Sequence, residues 1–430
     1  MALLEHARYT PHRAEVNGAR VHWLLCKSRQ EINSLPLIFW QDFSPWREAN
    51  LWLFERTRNK DVTLKTVEAN SMAILAYANW LEDTGTDWKS FPKRKSDRCL
   101  VQFRGFLIES RNTGKLAPST TSQRMACVIQ FYKWLYEKGF LSDELSMWSN
   151  RIFHRTMIDK TGLERTFAVN STDLAIPNRS APGEKLEDGL LPVSTKDREA
   201  ILRFCRQQAS TELFLLLTLG FFTGMRLGTL TDLRLETLDR AIPDPMCDAM
   251  YILTIGPGAS PPVRTKFGVT GNIRITKIHL DQIRSYANSI HRLKREAIAR
   301  KENKNLVFLT RFGNSYAKEN SDRSSAINVE MHTLRKSGIA AGISGLRNFH
   351  FHQTRCTYAT ELARLAIHSV GSINAIAFVK DALLHKSEAT SFKYIRFVEK
   401  TPAKIDMANR FTRDFLGILT ENSDDDGREI

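Results

Sequence analysis

Apolar residues recur at helical spacing over much of this chain. From Val62 to Leu81 the positions Leu64, Val67, Met72, Leu75, Ala76, Trp80 and Leu81 follow a period near 3.6 and predict a helix. A second helix is expected from Cys99 to Ile108. A third is expected from Ser119 to Glu137, opened by Pro118-Ser119, lined by Val128, Phe131, Tyr132 and Leu135, and ended at Gly139. These elements predict a small helical bundle over 61–145. Ahead of it lies an extension, 1–60, in which Leu35 to Trp40 reads as a strand and Trp46 to Arg56 as a helix.

The periodicity lapses between Asn170 and Gly189, where Pro, Ser, Asn and Gly dominate, so 146–190 is read as an interdomain linker. All eight tryptophans fall in the first third of the chain, Trp148 being the last, which marks that part as a separately packed unit. Beyond it, Ser194-Thr195-Lys196-Asp197 is a helix-capping sequence before Ala200, Ile201 and Phe204. Leu213 to Phe222 is apolar enough for a buried helix, ending at Gly224. Strands are expected at Tyr251 to Ile255, Val263 to Lys266 and Asn272 to Ile278, the last two joined as a hairpin through Phe267 to Gly271. A short buried segment at Leu306 to Leu309 and a helix near Ala326 to Lys336 follow. A late helix, Met407 to Leu419, presents Phe411, Phe415 and Leu416, either to its own domain or to a neighbouring subunit. The fold class expected is mainly α with a small antiparallel β-sheet: a helical first domain, a mixed α/β second domain over 191–420, and an acidic tail over 421–430.

Composition narrows the function. A length of 430 residues suits two domains and an appendage, and the 42% hydrophobic content is ordinary for a globular protein. No run approaches the roughly 18 consecutive apolar residues of a membrane span, so a soluble protein without membrane partners is expected. The start, Met1 to Val16, lacks the pattern of a secretory signal. Six cysteines stand far apart, which reads as free thiols in a reducing compartment, and no metal-ligand spacing is present. Lysine and arginine number 62 against 47 acidic residues, a net charge of +15 that favours a polyanion, nucleic acid first. The basic loop Lys93, Arg94, Lys95 and Arg98, with Arg104 beyond it, is placed to contact phosphates, the alternative for each being solvated surface. The 1–60 extension either adds a DNA contact or braces the bundle.

Four short segments carry candidate chemistry: Thr223-Gly224-Met225-Arg226, Arg264-Thr265-Lys266, His352-Gln353-Thr354-Arg355, and His385 with Tyr394. An arginine directly after an apolar helix and a glycine is held near the core, where it needs an anion or a carboxylate. Asp232 or Glu236 would serve as a plain salt-bridge partner for Arg226. On a helix, His352 and Arg355 at i and i+3 share one face and reach a single phosphate. His350 is the competing register, without an arginine three positions on. Nine positions separate His385 from Tyr394. At ~100° per residue an unbroken helix would set them on opposite faces, so a break between them is expected.

In order and interval these segments resemble the tyrosine recombinases, or phage integrases, from about Thr63 to Phe411. The resemblance implies a helical, SAM-like core-binding domain followed by the family's catalytic domain. It implies that Arg226 and Arg355 clamp the scissile phosphate and that His352 and His385 assist proton transfer. Tyr394 would attack to give a 3′-phosphotyrosine. Lys266, with Lys277 and Arg264 as rivals, would protonate the leaving 5′ oxygen, and Arg264 also counts as a DNA contact. Neither metal nor cofactor is required by this chemistry, and no P-loop, H-E-x-x-H or two-metal carboxylate cluster is found. The partners implied are double-stranded recombination sites, three further copies in a homotetramer that passes through a Holliday junction, and an accessory directionality factor. The setting implied is the cytoplasmic nucleoid, and the role integration or excision of a mobile element. The alternatives are a chromosome or plasmid dimer resolvase, a type IB topoisomerase, or a DNA-binding homologue without catalysis. The last is motivated by departures from the family pattern at Thr229, Thr354, Cys356 and Leu384.

Overall fold

The computed structural model describes residues 1–17, 20–26, 31–59, 62–142, 145–158, 164–178, 186–317 and 324–402. The expected helix Met407 to Leu419 and the acidic tail lie outside the described residues. The chain divides into two compact units, Met1–Pro182 and Gly183–Ile430.

In the first unit, strands β1 (Leu3–Tyr9), β2 (His12–Asn17), β3 (Arg20–Leu25) and β4 (Ile32–Phe39) pair antiparallel as β1 with β4 and β2 with β3. They precede helices α1 (Arg47–Arg58), α2 (Leu64–Thr84), α3 (Cys99–Asn112) and α4 (Pro118–Glu137). Thr63 caps α2 by accepting from the Thr66 amide, and Gly85, in the left-handed region at φ 61°, ends it. The core mixes aliphatic side chains with a cluster of aromatic rings. Trp46 meets Phe131 edge to face at 5.5 Å between ring centroids, and Trp52, Tyr77, Phe103 and Tyr132 are buried in the same core. The buried phenols are hydrogen-bonded, Tyr77 to Tyr132 at 2.7 Å and Tyr132 to the Trp88 carbonyl at 2.6 Å.

Residues 1–60 share this core: Ala2, Ile38, Trp46, Ala49, Trp52 and Leu53 are all buried in it. The extension therefore braces the bundle, and three of its four strands were not expected, because their side chains are mostly exposed and give no clean alternation. Nor is 146–190 a plain connector. Strands β5 (Asn150–Ile158) and β6 (Glu164–Thr172) pair antiparallel within it, Leu174 and Ile176 return to the first core, and the residues from 186 onward belong to the second unit.

The second unit runs through α5 (Thr195–Gln208), α6 (Thr211–Thr223), α7 (Leu227–Leu230) and α8 (Leu235–Asp239), then strands β7 (Ile242–Asp244), β8 (Cys247–Ile255) and β9 (Gly271–Thr276). Helices α9 (Lys277–Ala287), α10 (Ile290–Ile298) and α11 (Ser325–Ala340) follow. The strands form one antiparallel sheet in the order β7-β8-β9. The expected hairpin is corrected here: β9 pairs with β8, and Val263 to Lys266 is part of the connection between them. The strand expected to reach Ile278 stops at Thr276, whose hydroxyl accepts from the His279 amide and starts α9. The expected cap at Ser194 forms, its hydroxyl accepting from the Asp197 amide.

Helix α6 is buried on nearly every side and lies against α12 (Gln353–Leu383). Gly220 permits this closeness, because a Cβ there would stand 2.4 Å from the Thr354 hydroxyl. Segment α12 is interrupted at Gly371, where φ is 76°. By length and composition it is apolar enough to cross a membrane, contrary to expectation. In this fold, however, it carries Arg355 and packs Ala359, Ala363, Ala366, Ala375 and Val379 into a second, small-residue core of this unit. A final helix, α13, begins at residue 388 and carries Tyr394 into the same core.

Candidate active site

The site is assembled from two left-handed turns, the start of α12 and one short segment ahead of α5. Helix α6 ends at Gly224 with φ 67°, and a Cβ there would meet Tyr358 Cδ1 at 2.5 Å and Leu383 Cδ2 at 2.7 Å. Only glycine satisfies both the backbone and the space. The turn delivers Arg226 as the extended residue before α7. At the far end of α12, Leu384 adopts φ 52° and ends the helix, so that His385 lies between α12 and α13. A non-glycine residue in this conformation is uncommon.

Arg355, 2% exposed, ties these turns together. Its Nη1 donates to the Gly224 carbonyl at 2.6 Å and its Nη2 to the Leu383 carbonyl at 2.9 Å. Its Nε is left to face the site, where it donates at 3.1 Å to the carboxylate of Glu187. That carboxylate is the centre of the arrangement. Arg226 Nη2 donates to its Oε1 at 2.9 Å, and the Tyr394 hydroxyl donates to its Oε2 at 3.2 Å. His352 Nε2 and His385 Nε2 stand 3.7 and 3.8 Å from Oε2. The rings of His385 and Tyr394 lie nearly parallel at 6.1 Å, and Ser391 Oγ is 2.8 Å from His385 Nδ1.

Burial and neighbouring charge shift the pKa values of Glu187, Tyr394 and His385. Burial alone would raise the Glu187 carboxyl, but the two histidines and the charges of Arg355 and Arg226 outweigh it and hold Glu187 far below the usual carboxylate range. Burial, reinforced by the adjacent Glu187 charge, pushes the Tyr394 phenol well above its ordinary value. Burial pulls His385 down, with Glu187 opposing. Two guanidinium groups, two imidazoles and a phenol thus converge on one anion. This set can bind and polarise an oxyanion, with the Tyr394 hydroxyl at its edge.

No family model and no curated protein matches the chain. Solved structures do. A XerA recombinase is 14% identical, with 85% of this chain and 98% of that one covered at a TM-score of 0.34. A Tn1549 transposon integrase in complex with circular intermediate DNA is 11% identical, with 81% and 94% covered at 0.49. A lambda integrase dimer bound to a core site is 13% identical, with 81% and 76% covered at 0.46. These neighbours are recombinases and integrases.

The structure brings Arg226, His352, Arg355, His385 and Tyr394 to one point. Lys266 is exposed within the β8–β9 connection, at the start of the short turn Lys266–Gly268, and lines a pocket shared with Arg226, Thr265 and Arg355. Its ammonium lies 5.4 Å from the centre of the Phe267 ring, which Lys386 approaches from 5.7 Å. Its rival Lys277 begins α9 and pairs with Asp281 at 2.7 Å. Arg264 is held back by Asp232, which accepts from its amide at 2.6 Å, and by the Gly228 carbonyl. His350, the competing register, is exposed.

The carboxylate partner of Arg226, expected at Asp232 or Glu236, is Glu187 instead. Asp232 is engaged by Arg264 and lies 3.8 Å from Arg234. Glu187 lay inside the stretch read as linker. The one local signal was Leu186, Leu190 and Leu191 around Glu187-Asp188-Gly189, an apolar punctuation unusual in a connector. In the first unit, Lys93 and Arg94 are exposed. Lys95 is bonded to Asp173, while Arg98 spans the Pro92 and Lys93 carbonyls.

Proposed function

We propose that the protein is a site-specific tyrosine recombinase that cleaves and rejoins DNA without metal or cofactor. The observation that carries this reading is the convergence of Arg226, Arg355, His352, His385 and the Tyr394 hydroxyl on a single anion position. A phosphodiester in that position has its two non-bridging oxygens matched to two guanidinium groups. The Tyr394 oxygen then attacks phosphorus, the P–O5′ bond breaks, and a 3′-phosphotyrosine and a free 5′ hydroxyl result. One ester bond replaces another, so the phosphoryl bond energy is conserved for rejoining. Fixed cations stabilise the charge that builds on the oxygens, and the histidines move the phenol proton. Lys266, on the rim of the pocket, protonates the leaving oxygen. We assign a tetramer acting on two duplex sites through a Holliday junction, integration or excision of a mobile element, and a nucleoid location. The net charge of +15 favours the same polyanionic partner.

The test uses duplexes selected from a random pool by binding, then nicked so that the cleaved end diffuses away. A covalent protein–DNA adduct that is absent in Tyr394→Phe supports the reading. Absence of any adduct on every selected duplex overturns it.

A further inference from the structure

The carboxylate of Glu187 sits where the substrate phosphate belongs. Its two oxygens are divided between the two arginines, Oε1 to Arg226 and Oε2 to Arg355, as the two non-bridging oxygens of one phosphodiester would be. The Tyr394 hydroxyl and both imidazoles address Oε2. A carboxylate and a phosphodiester carry the same single charge and a similar pair of acceptor oxygens. They cannot occupy the site together, since two like charges at van der Waals separation in a mostly buried place repel strongly.

We propose that Glu187 is an autoinhibitory substrate mimic, a plug that fills the anion site of the free protein and must swing out before a DNA phosphate enters. The inference rests on the recombinase reading only for the identity of the displacing anion.

The segment bearing Glu187 is built for release. It is a single short turn, Glu187–Gly189, in which the Gly189 amide donates to the Leu186 carbonyl and the Leu186 amide to the Leu190 carbonyl, both at 3.2 Å. Leu186 anchors it in the same small core as Tyr394. Downstream, Gln353 donates to the Leu191 carbonyl at 3.0 Å and the Val193 amide to Thr357 Oγ1 at 2.8 Å. The turn is therefore tethered after Glu187 by bonds that need not break when the carboxylate leaves. While it stays, the plug also keeps the nucleophile idle. Its charge beside Tyr394 favours the protonated phenol, and its Oε2 accepts the hydrogen bond through which that proton would depart. Protonation offers the plug no exit, because the surrounding cations favour the ionised carboxylate.

The test pairs an anion with a DNA readout. Inorganic phosphate is titrated by calorimetry into the full chain, into Glu187→Gln, and into Glu187→Gln combined with Arg226→Gln. At least tenfold tighter phosphate binding in Glu187→Gln, abolished by the added Arg226→Gln, is expected. In parallel, Glu187→Gln should form the covalent adduct on nicked duplex at least tenfold faster than the wild type. Unchanged phosphate affinity, or a slower adduct, overturns the plug. Tighter phosphate binding with no adduct from either protein leaves the plug standing and removes the recombinase reading. The wild type gives a reading that does not depend on the variant folding: saturating phosphate should speed amide hydrogen exchange across 186–190 severalfold. Unchanged exchange there overturns the inference.

Discussion

Arg355 Nη1 donates to the carbonyl of Gly224 at 2.6 Å, and this one bond fixes the start of α12 to the turn that delivers Arg226. The two arginines are thus parts of one construction. Two of the three hydrogen-bonding nitrogens of Arg355 hold backbone, and only Nε faces the anion. Lysine has the charge but not the fork. Arg355→Lys is expected to lose about 3–5 kcal/mol of stability, the range for breaking a buried charged pair, because carbonyls and carboxylate are left poorly matched. Urea unfolding followed by circular dichroism measures it, and a loss below about 1 kcal/mol would contradict the keystone role.

Gly224→Ala attacks the same joint from its backbone side. The new methyl meets Tyr358 and Leu383, at a φ that L side chains rarely adopt. Strain and overpacking together are expected to cost about 2–4 kcal/mol. Adduct formation should fall as well, since Arg226 follows two positions later. Full adduct formation by a destabilised Gly224→Ala protein would separate the turn from the site.

Stability should depend on pH through Glu187 and His385. The folded Glu187 carboxyl is held below its unfolded value of about 4.3, so its contribution is complete above that pH and lost as pH falls below it. His385 is also held below its unfolded value, near 6.5, so the unfolded chain binds its proton first and stability declines as pH falls through that region. Urea midpoints should drop modestly between pH 7 and 5 and more steeply below about 4.3. Glu187→Gln should shrink the lower limb by the part that Glu187 contributes and enlarge the upper one, because Glu187 opposes the lowering of His385.

Lys266 and Lys277 separate cleanly by geometry. Lys266 lines the pocket with Arg226 and Arg355, whereas Lys277 is paired with Asp281 on α9. Lys266→Ala should slow adduct formation about 100-fold or more, the scale of a lost general acid. Lys277→Ala should leave the rate within about twofold, since Lys277 is paired with Asp281 and does not line the pocket. A substrate with sulfur in place of the leaving 5′ oxygen, whose thiol pKa near ~8.5 makes protonation unnecessary, should restore Lys266→Ala. Failure of that rescue would assign Lys266 to DNA contact alone.

Much of this protein was legible in its sequence, and the reason is local. Helical periodicity marked α2, α3, α4 and α6, because each hides a continuous apolar stripe or, for α6, an almost wholly apolar surface. Gly224 announced its turn through conformational freedom that no other residue has. The nine-residue interval from His385 to Tyr394 demanded a break by helix geometry alone, and the non-helical residues 385–387 ahead of α13 supply it. By itself the sequence determined which cations and which tyrosine are available and in what order they arrive. Tertiary structure decided what they gather around. Pairing β9 with β8 required strands separated by a long connection, and neither Lys266 nor its loop carries a pattern that selects the partner. Glu187 was invisible for a related physical reason. Its place is fixed by charge and hydrogen bonds to residues far along the chain, from Arg226 to Tyr394, and such long-range electrostatic contacts leave no periodicity in the sequence around the residue that makes them.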